Sequence, residues 1–313
     1  MGKIKISILE EVEYVSGFAA YVGQHRENWM ELRCFTDAFN LKKHLTAGQI
    51  DVLLIGEKYI CEFKSLEQIK KVIVLSESGY VSKEADYAAV FKYQSAEKLL
   101  KDVCGEIASG EGFLTASSGA GLCDKEFIGM FSPWGGCSST LYAQKFCKKE
   151  RTKKGVLYVN LHLLSPMLVN EKEKGHAGKK KFGMSELIYY IRQGKENAAL
   201  KLRSIIREYR GIESIYPVED YRDLYGMEIG DAKRLFEMLS QESMHDVIVL
   251  DIGFLSGISL LFLQLCDNVY LPEATCEAEQ SCMKSFKELL LKEGLDELEA
   301  KCITVRMEDG GDN

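Results

Sequence analysis

The sequence contains no C-x-x-C pair and no histidine at ligand spacing from its ten cysteines, so neither a disulfide framework nor a zinc site is expected and the thiols read as reduced. The opening MGKIKISILEEVEY is charged and amphipathic and lacks the apolar core of a secretory signal, so a cytoplasmic location is expected. Basic residues are not in excess. Lys+Arg 40 against Asp+Glu 47 gives a net charge of -7, which argues against wholesale nucleic-acid binding. Nor is there an unbroken membrane span. The best candidate, VIVLDIGFLSGISLLFLQLC at residues 247–266, carries Asp251, Gly253 and Gly257 in mid-run and reads instead as a buried strand, a glycine turn and a buried helix. What is present is ordinary for a globular chain: 46% hydrophobic and 28% charged residues exclude disorder, collagen and coiled-coil fibre.

At roughly 150 residues per domain, 313 residues suggest two domains. The Gly-, Ser- and Ala-rich stretch GEIASGEGFLTASSGAGLCD, residues 105–124, is the best linker candidate. Before it, short apolar runs at 4–9, 32–35, 52–55, 72–75 and 88–91 alternate with helical patterns, the signature of a parallel sheet covered on both faces. After it comes a second series, at 127–131, 156–160, 212–216, 247–251, 268–271 and 302–306. The polar segment 171–183 interrupts that series and is expected to be a surface loop. The expected fold is therefore α/β in both halves: residues 1–104, a linker at 105–124, and residues 125–313.

Five βα units in about a hundred residues resemble the receiver domain of response regulators. In that family an aspartate ends the third strand and accepts a phosphoryl group. Here IDVLLIGE has Gly56 at that position. Glu10 and Glu11 match the acidic pair after the first strand, Ser76 ends the fourth and Lys92 ends the fifth. Glu57 is one residue late, and strand alternation is expected to turn it to the opposite side. The resemblance implies a receiver-shaped module without phosphoryl chemistry.

FIGMFSPWGGCSSTL, residues 127–141, runs from an apolar strand through Ser-Pro and a Gly-Gly pair into a helix pattern. That is the layout of a phosphate-binding loop, whose glycines admit close backbone approach and whose helix N-terminus adds partial positive charge. The segment resembles the deviant Walker A loop, K-G-G-x-G-K-[ST], of MinD/ParA-type P-loop ATPases. Trp134 stands for the signature lysine, Gly135 and Gly136 match, Cys137 fills the variable position, Ser138 replaces the third glycine, Ser139 replaces the loop lysine and Thr140 matches the metal-binding hydroxyl. GVLYVNLH resembles the family's next strand, with Asn160 and His162 in place of its two acids. HDVIVLDIG resembles the Walker B strand and offers Asp251.

This resemblance implies ATP and Mg²⁺ as ligands, with Gly135, Gly136, Cys137, Ser138, Ser139, Thr140 and Asp251 at the nucleotide and Thr140 and Asp251 at the metal. No residue is expected to be catalytic. A receiver-like domain ahead of a MinD-like one resembles the CpaE-like proteins of pilus assembly and secretion. The expected function is a non-catalytic pseudo-receiver/pseudo-ATPase adaptor with protein partners, a homodimer being left open. The alternatives are an ATP-binding switch with little hydrolysis and a DNA- or membrane-associated positioning protein. For the last, the basic run at 148–154 and the lysines at 179–181 are the features to weigh. His162 is expected to be a hydrogen-bonded loop histidine, and Cys137 and Cys147 to be small buried side chains.

Overall fold

The computed structural model describes residues 3–24, 29–48, 50–63, 65–66, 68–77, 87–109, 125–165, 167, 183–194 and 198–307. The chain divides into two compact units, Met1–Gly119 with Lys195–Ser204, and Ala120–Gly194 with Ile205–Asn313. Residues 198–204 cluster with the first unit, where the sequence suggested an uninterrupted second domain.

The first unit contains β1 (Ile4–Leu9), α1 (Val12–Gln24), β2 (Met30–Phe35), α2 (Ala38–Ala47), β3 (Val52–Gly56), a 3₁₀ turn (Glu57–Glu62), β4 (Lys71–Ser76), β5 (Ala88–Phe91) and α3 (Ala96–Ser109). The strands pair in parallel in the order β2-β1-β3-β4-β5, the flavodoxin-like doubly wound arrangement. Every residue of β3 is buried, as a central strand covered on both faces requires. Asp37 caps α2 by accepting the Asn40 backbone N–H at 2.9 Å.

Helix α3 corrects the linker boundary. Leu100, Cys104 and Ala108, with Val103 and Ile107, form a buried stripe at helical spacing that runs through 105–109. Ile107 and Ala108 face the core there instead of forming a tether, and 110–124 lie outside the described residues.

The second unit contains β6 (Glu126–Phe131), α4 (Ser138–Glu150), β7 (Val156–Leu161), α5 (Met184–Arg192), then β8 (Ile206–Tyr209), β9 (Ile212–Ile215), α7 (Tyr221–Tyr225), α8 (Ile229–Glu242), β10 (Val247–Ile252), α9 (Gly257–Leu265), β11 (Asn268–Pro272), α10 (Glu277–Lys292), α11 (Asp296–Lys301) and β12 (Cys302–Val305). Helix α6 (Ala198–Ile205) precedes β8 and falls chiefly in the first unit. The sheet order is β12-β11-β6-β10-β7-β9-β8, parallel throughout except for β8. β8 is an addition to the strands expected from sequence. It returns antiparallel on β9 through Arg210 (φ 51) and Gly211 (φ 79), the two left-handed residues of a type I′ hairpin.

Residues 247–266 form strand β10, a turn and helix α9, as expected, and among the described residues no helix is long and apolar enough to cross a membrane. Of the segment at 171–183 only Gly183 is described, buried at the N-cap of α5. The lysines at 179–181 lie outside the described residues.

Candidate functional site

The second unit's candidate site lies where β6, β7 and β10 end together. β6 passes through Ser132 into the loop, and the Gly135 N–H donates to the Ser132 carbonyl at 3.0 Å while the Ser132 hydroxyl donates to the Gly135 carbonyl at 2.8 Å. Gly135 (φ 76) and Gly136 (φ 93) are both left-handed with open space around them, so backbone conformation and not crowding calls for glycine. Cys137 sits at the N-cap of α4 and supplies no side-chain hydrogen bond. It is exposed, contrary to the expectation of a buried thiol, whereas Cys147 is buried as expected. Trp134 is half-buried, and Ser139 and Thr140 are buried.

Thr140 and Asp251 meet through one atom. His162 Nε2 lies 3.1 Å from Thr140 Oγ1 and 3.0 Å from Asp251 Oδ1. A carboxylate oxygen at that distance shares a proton with the ring nitrogen. The second carboxylate oxygen, Oδ2, accepts from the Tyr158 hydroxyl at 2.5 Å. Asn160 Nδ2 donates to that same hydroxyl at 3.0 Å, and the His162 N–H donates to Asn160 Oδ1 at 3.1 Å.

Tyr158 and Asp251 are fully buried and Asn160 nearly so, while the His162 side chain is 16% exposed. Burial, reinforced by the adjacent Asp251 charge, drives the Tyr158 phenol well above its ordinary pKa and raises the Cys147 thiol to about 12. The ring of His162 rests against Gly253. A β-carbon added at Gly253 would stand 2.2 Å from His162 Nδ1, so the glycine makes the space for the imidazole.

The sequence singled out residues 135–140 and Asp251, and the fold brings Thr140 and Asp251 each within 3.1 Å of the His162 nitrogen. Tyr158 was missed. The signal for it was strand alternation: Tyr158 and Asn160 share one face of β7, and His162 continues the same period just past the strand. β10 is the neighbour of β7, with Asp251 directly beside Asn160.

As arranged, these residues do not fit a magnesium ion. The ion wants oxygen ligands at about 2.0–2.1 Å, and the hydroxyl and carboxylate that would supply them are turned onto an imidazole and a phenol. Among the described residues no cluster of three or more His, Cys, Asp or Glu is arranged to hold a metal.

The first unit's corresponding point is the carboxyl end of β1 and β3, where the strand order reverses. Glu10 is buried, and a β-carbon added at Gly56 would be 1.9 Å from its Oε2. The Glu10 carboxyl group therefore fills the space over Gly56 where the receiver resemblance would put the acceptor side chain.

Lys92 Nζ lies 3.7 Å from Glu10 Oε2 and 2.8 Å from Glu77 Oε1. Burial opposes the Lys92 charge, but the Glu77 hydrogen bond and the charges of Glu10 and Glu77 outweigh it and hold the ammonium above its usual pKa. Lys58 pairs with Glu11 and lies 3.9 Å from Glu10 Oε1. Glu57 does not point away as alternation suggested. β3 stops at Gly56, the 3₁₀ turn begins at Glu57, and its Oε2 accepts from the Ser76 hydroxyl at 3.1 Å.

No family model and no curated protein matches this sequence. Solved structures do resemble it. A plasmid partition protein from Borrelia burgdorferi aligns over 58% of this chain and 77% of its own, at 16% identity and a TM-score of 0.45. A ParA family ATPase from Chlorobium tepidum TLS aligns over 58% and 73%, at 14% identity and a TM-score of 0.44. A putative plasmid partition protein from Borrelia burgdorferi B31, bound to AMPPNP, aligns over 55% and 72%, at 16% identity and a TM-score of 0.44. The second unit itself is a seven-stranded sheet, parallel except for β8, with the loop at 132–137 leading from β6 into α4.

Proposed function

We propose that the chain is a non-hydrolysing docking module, in which a receiver-shaped unit and a P-loop-shaped unit present surfaces to protein partners. The state of Asp251 carries this reading: it is fully buried, with one oxygen bonded to His162 and the other to Tyr158. A carboxylate so engaged is unavailable to a metal shell or an attacking water. The acids of the neighbouring strand are replaced by Asn160 and His162, and neither of these adds a carboxylate.

Phosphoryl transfer depends on positioning and on positive charge at the transferred group. Both lysine positions of the loop are lost, to Trp134 and Ser139. One such donor commonly contributes about 3–4 kcal/mol to transition-state stabilisation, so losing two leaves turnover near background. The first unit repeats the pattern, with Gly56 in the acceptor position and Glu10 over it.

Docking draws further support from exposed apolar surface on the second unit, where Tyr221, Tyr225, Ile229 and Leu255 are open to solvent and the Tyr225 ring lies 5.5 Å from that of Phe254. The resemblance to CpaE-like proteins favours partners in pilus assembly or secretion.

The test combines an ATP titration, followed by thermal shift, with phosphate release from the full chain. Release at background, unchanged by Asp251→Asn, is expected. Turnover well above background that the same substitution abolishes refutes the reading. A thermal shift without release favours the second reading, a nucleotide-gated switch, for which the left-handed Gly135 and Gly136 keep the loop in a phosphate-cradling shape.

A further inference from the structure

We propose that His162 is the resident substitute for the divalent cation of this P-loop fold, so that the site is closed by an imidazole and is independent of Mg²⁺. The inference rests on the non-hydrolysing reading above and adds what took the metal's place. Three observations meet at one side chain. His162 Nε2 lies within 3.1 Å of the two oxygens, Thr140 Oγ1 and Asp251 Oδ1, that the family pattern assigns to the metal. The remaining oxygen of Asp251 is held by Tyr158, whose hydroxyl is in turn held by Asn160, so each oxygen of that carboxylate already has a partner within the chain. The His162 ring has a built seat, because any side chain at Gly253 would meet Nδ1 at 2.2 Å.

The bridge ties the first turn of α4 to the end of β10, the same two elements a cation would join, and does so without a ligand. The network extends along β7: Asn160 receives the His162 backbone N–H and hands its own amide proton to Tyr158, so β7 and the residue just past it supply Tyr158, Asn160 and His162, and Gln144 of α4 also bonds Tyr158.

Mn²⁺, with its paramagnetic free-ion signal, is the probe. Its binding to the full chain is measured for wild type, Asp251→Asn, His162→Asp, His162→Ala and the double substitution His162→Asp with Asp251→Asn, each checked for folding by circular dichroism and each assayed in parallel for phosphate release. Wild type is expected to show no Mn²⁺ binding that Asp251→Asn removes. His162→Asp is expected to bind Mn²⁺ at least 10-fold more tightly than wild type, and to lose that gain in the double substitution. Where His162→Asp does not fold, His162→Ala, which removes only the imidazole, is read by the same criterion. Wild-type Mn²⁺ binding that depends on Asp251 overturns the proposal, and so does a folded His162 variant without the gain. Asp251-dependent Mn²⁺ binding by wild type without phosphate release overturns this inference alone, whereas phosphate release that depends on Asp251 overturns the functional reading beneath it.

Discussion

Tyr158→Phe removes one oxygen from the centre of the second unit and leaves the ring in place, so it isolates the hydrogen-bond network from packing. The lost hydroxyl donates to Asp251 at 2.5 Å and accepts from Asn160 at 3.0 Å. A hydrogen bond to an ionised group contributes about 1.5–3 kcal/mol, and a buried amide left without its acceptor adds about 1 kcal/mol or more. Asp251 is 0% exposed, so no water replaces the donor and no screening discount applies. The expected loss is about 2.5–4 kcal/mol, a large part of the 5–15 kcal/mol typical of a domain.

The two tryptophans make the measurement local, since Trp29 lies in the first unit and Trp134 in the second. In a Trp29→Phe background, urea titration of the remaining fluorescence reports on the second unit. A lower midpoint at unchanged slope is expected. A change below about 1 kcal/mol would show that the hydroxyl is not holding the carboxylate and would remove the energetic basis of the network.

Two further outcomes follow from the same geometry. Gly56→Ala puts a β-carbon 1.9 Å from Glu10 Oε2 and is expected to destabilise the first unit by at least about 2 kcal/mol, with most of that recovered when Glu10→Ala is added. Urea titration of Trp29 fluorescence in a Trp134→Phe background reads the cycle, and additive effects would refute the clash.

The second unit should also weaken in alkali. Burial, then the Asp251 charge, hold the Cys147 thiol protonated to about 12, against 9.0 for the free group. The folded form therefore binds more protons than the unfolded form between those values. The stability contribution is complete below about 9 and falls as pH rises toward about 12. Tyr158, shifted in the same direction, adds to the loss above about 10. Cys147→Ala should flatten the slope of stability against pH in urea titrations between 9 and 10, and an unchanged slope would exclude the thiol as a source.

The strands were readable because a parallel sheet buried on both faces spells them as short aliphatic runs, as VLLIG and VIVLDI do. β8 escaped because it follows helix α6 without a break: Ile205 ends the helix and Ile206 opens the strand, so no turn residue marks the change of period. Helix α3 ran past its expected end because glycine, serine and alanine read as a tether by composition, while Ile107 and Ala108 were still in phase with Val103 and Cys104. At the site, the contiguous loop was legible. The network was not, because the Asp251–Tyr158 contact spans 93 residues and exists only once β7 and β10 are neighbours. The same holds for Glu10, whose position over Gly56 follows from the pairing of β1 with β3.

That position acts as a latch on residue 56. With the Glu10 carboxyl group filling the volume above Gly56, no single substitution can return a side chain to position 56 without a collision, and removing Glu10 first strips Lys92 of a partner. Placing a side chain at position 56 therefore calls for two coordinated changes, each of which alone costs the first unit stability.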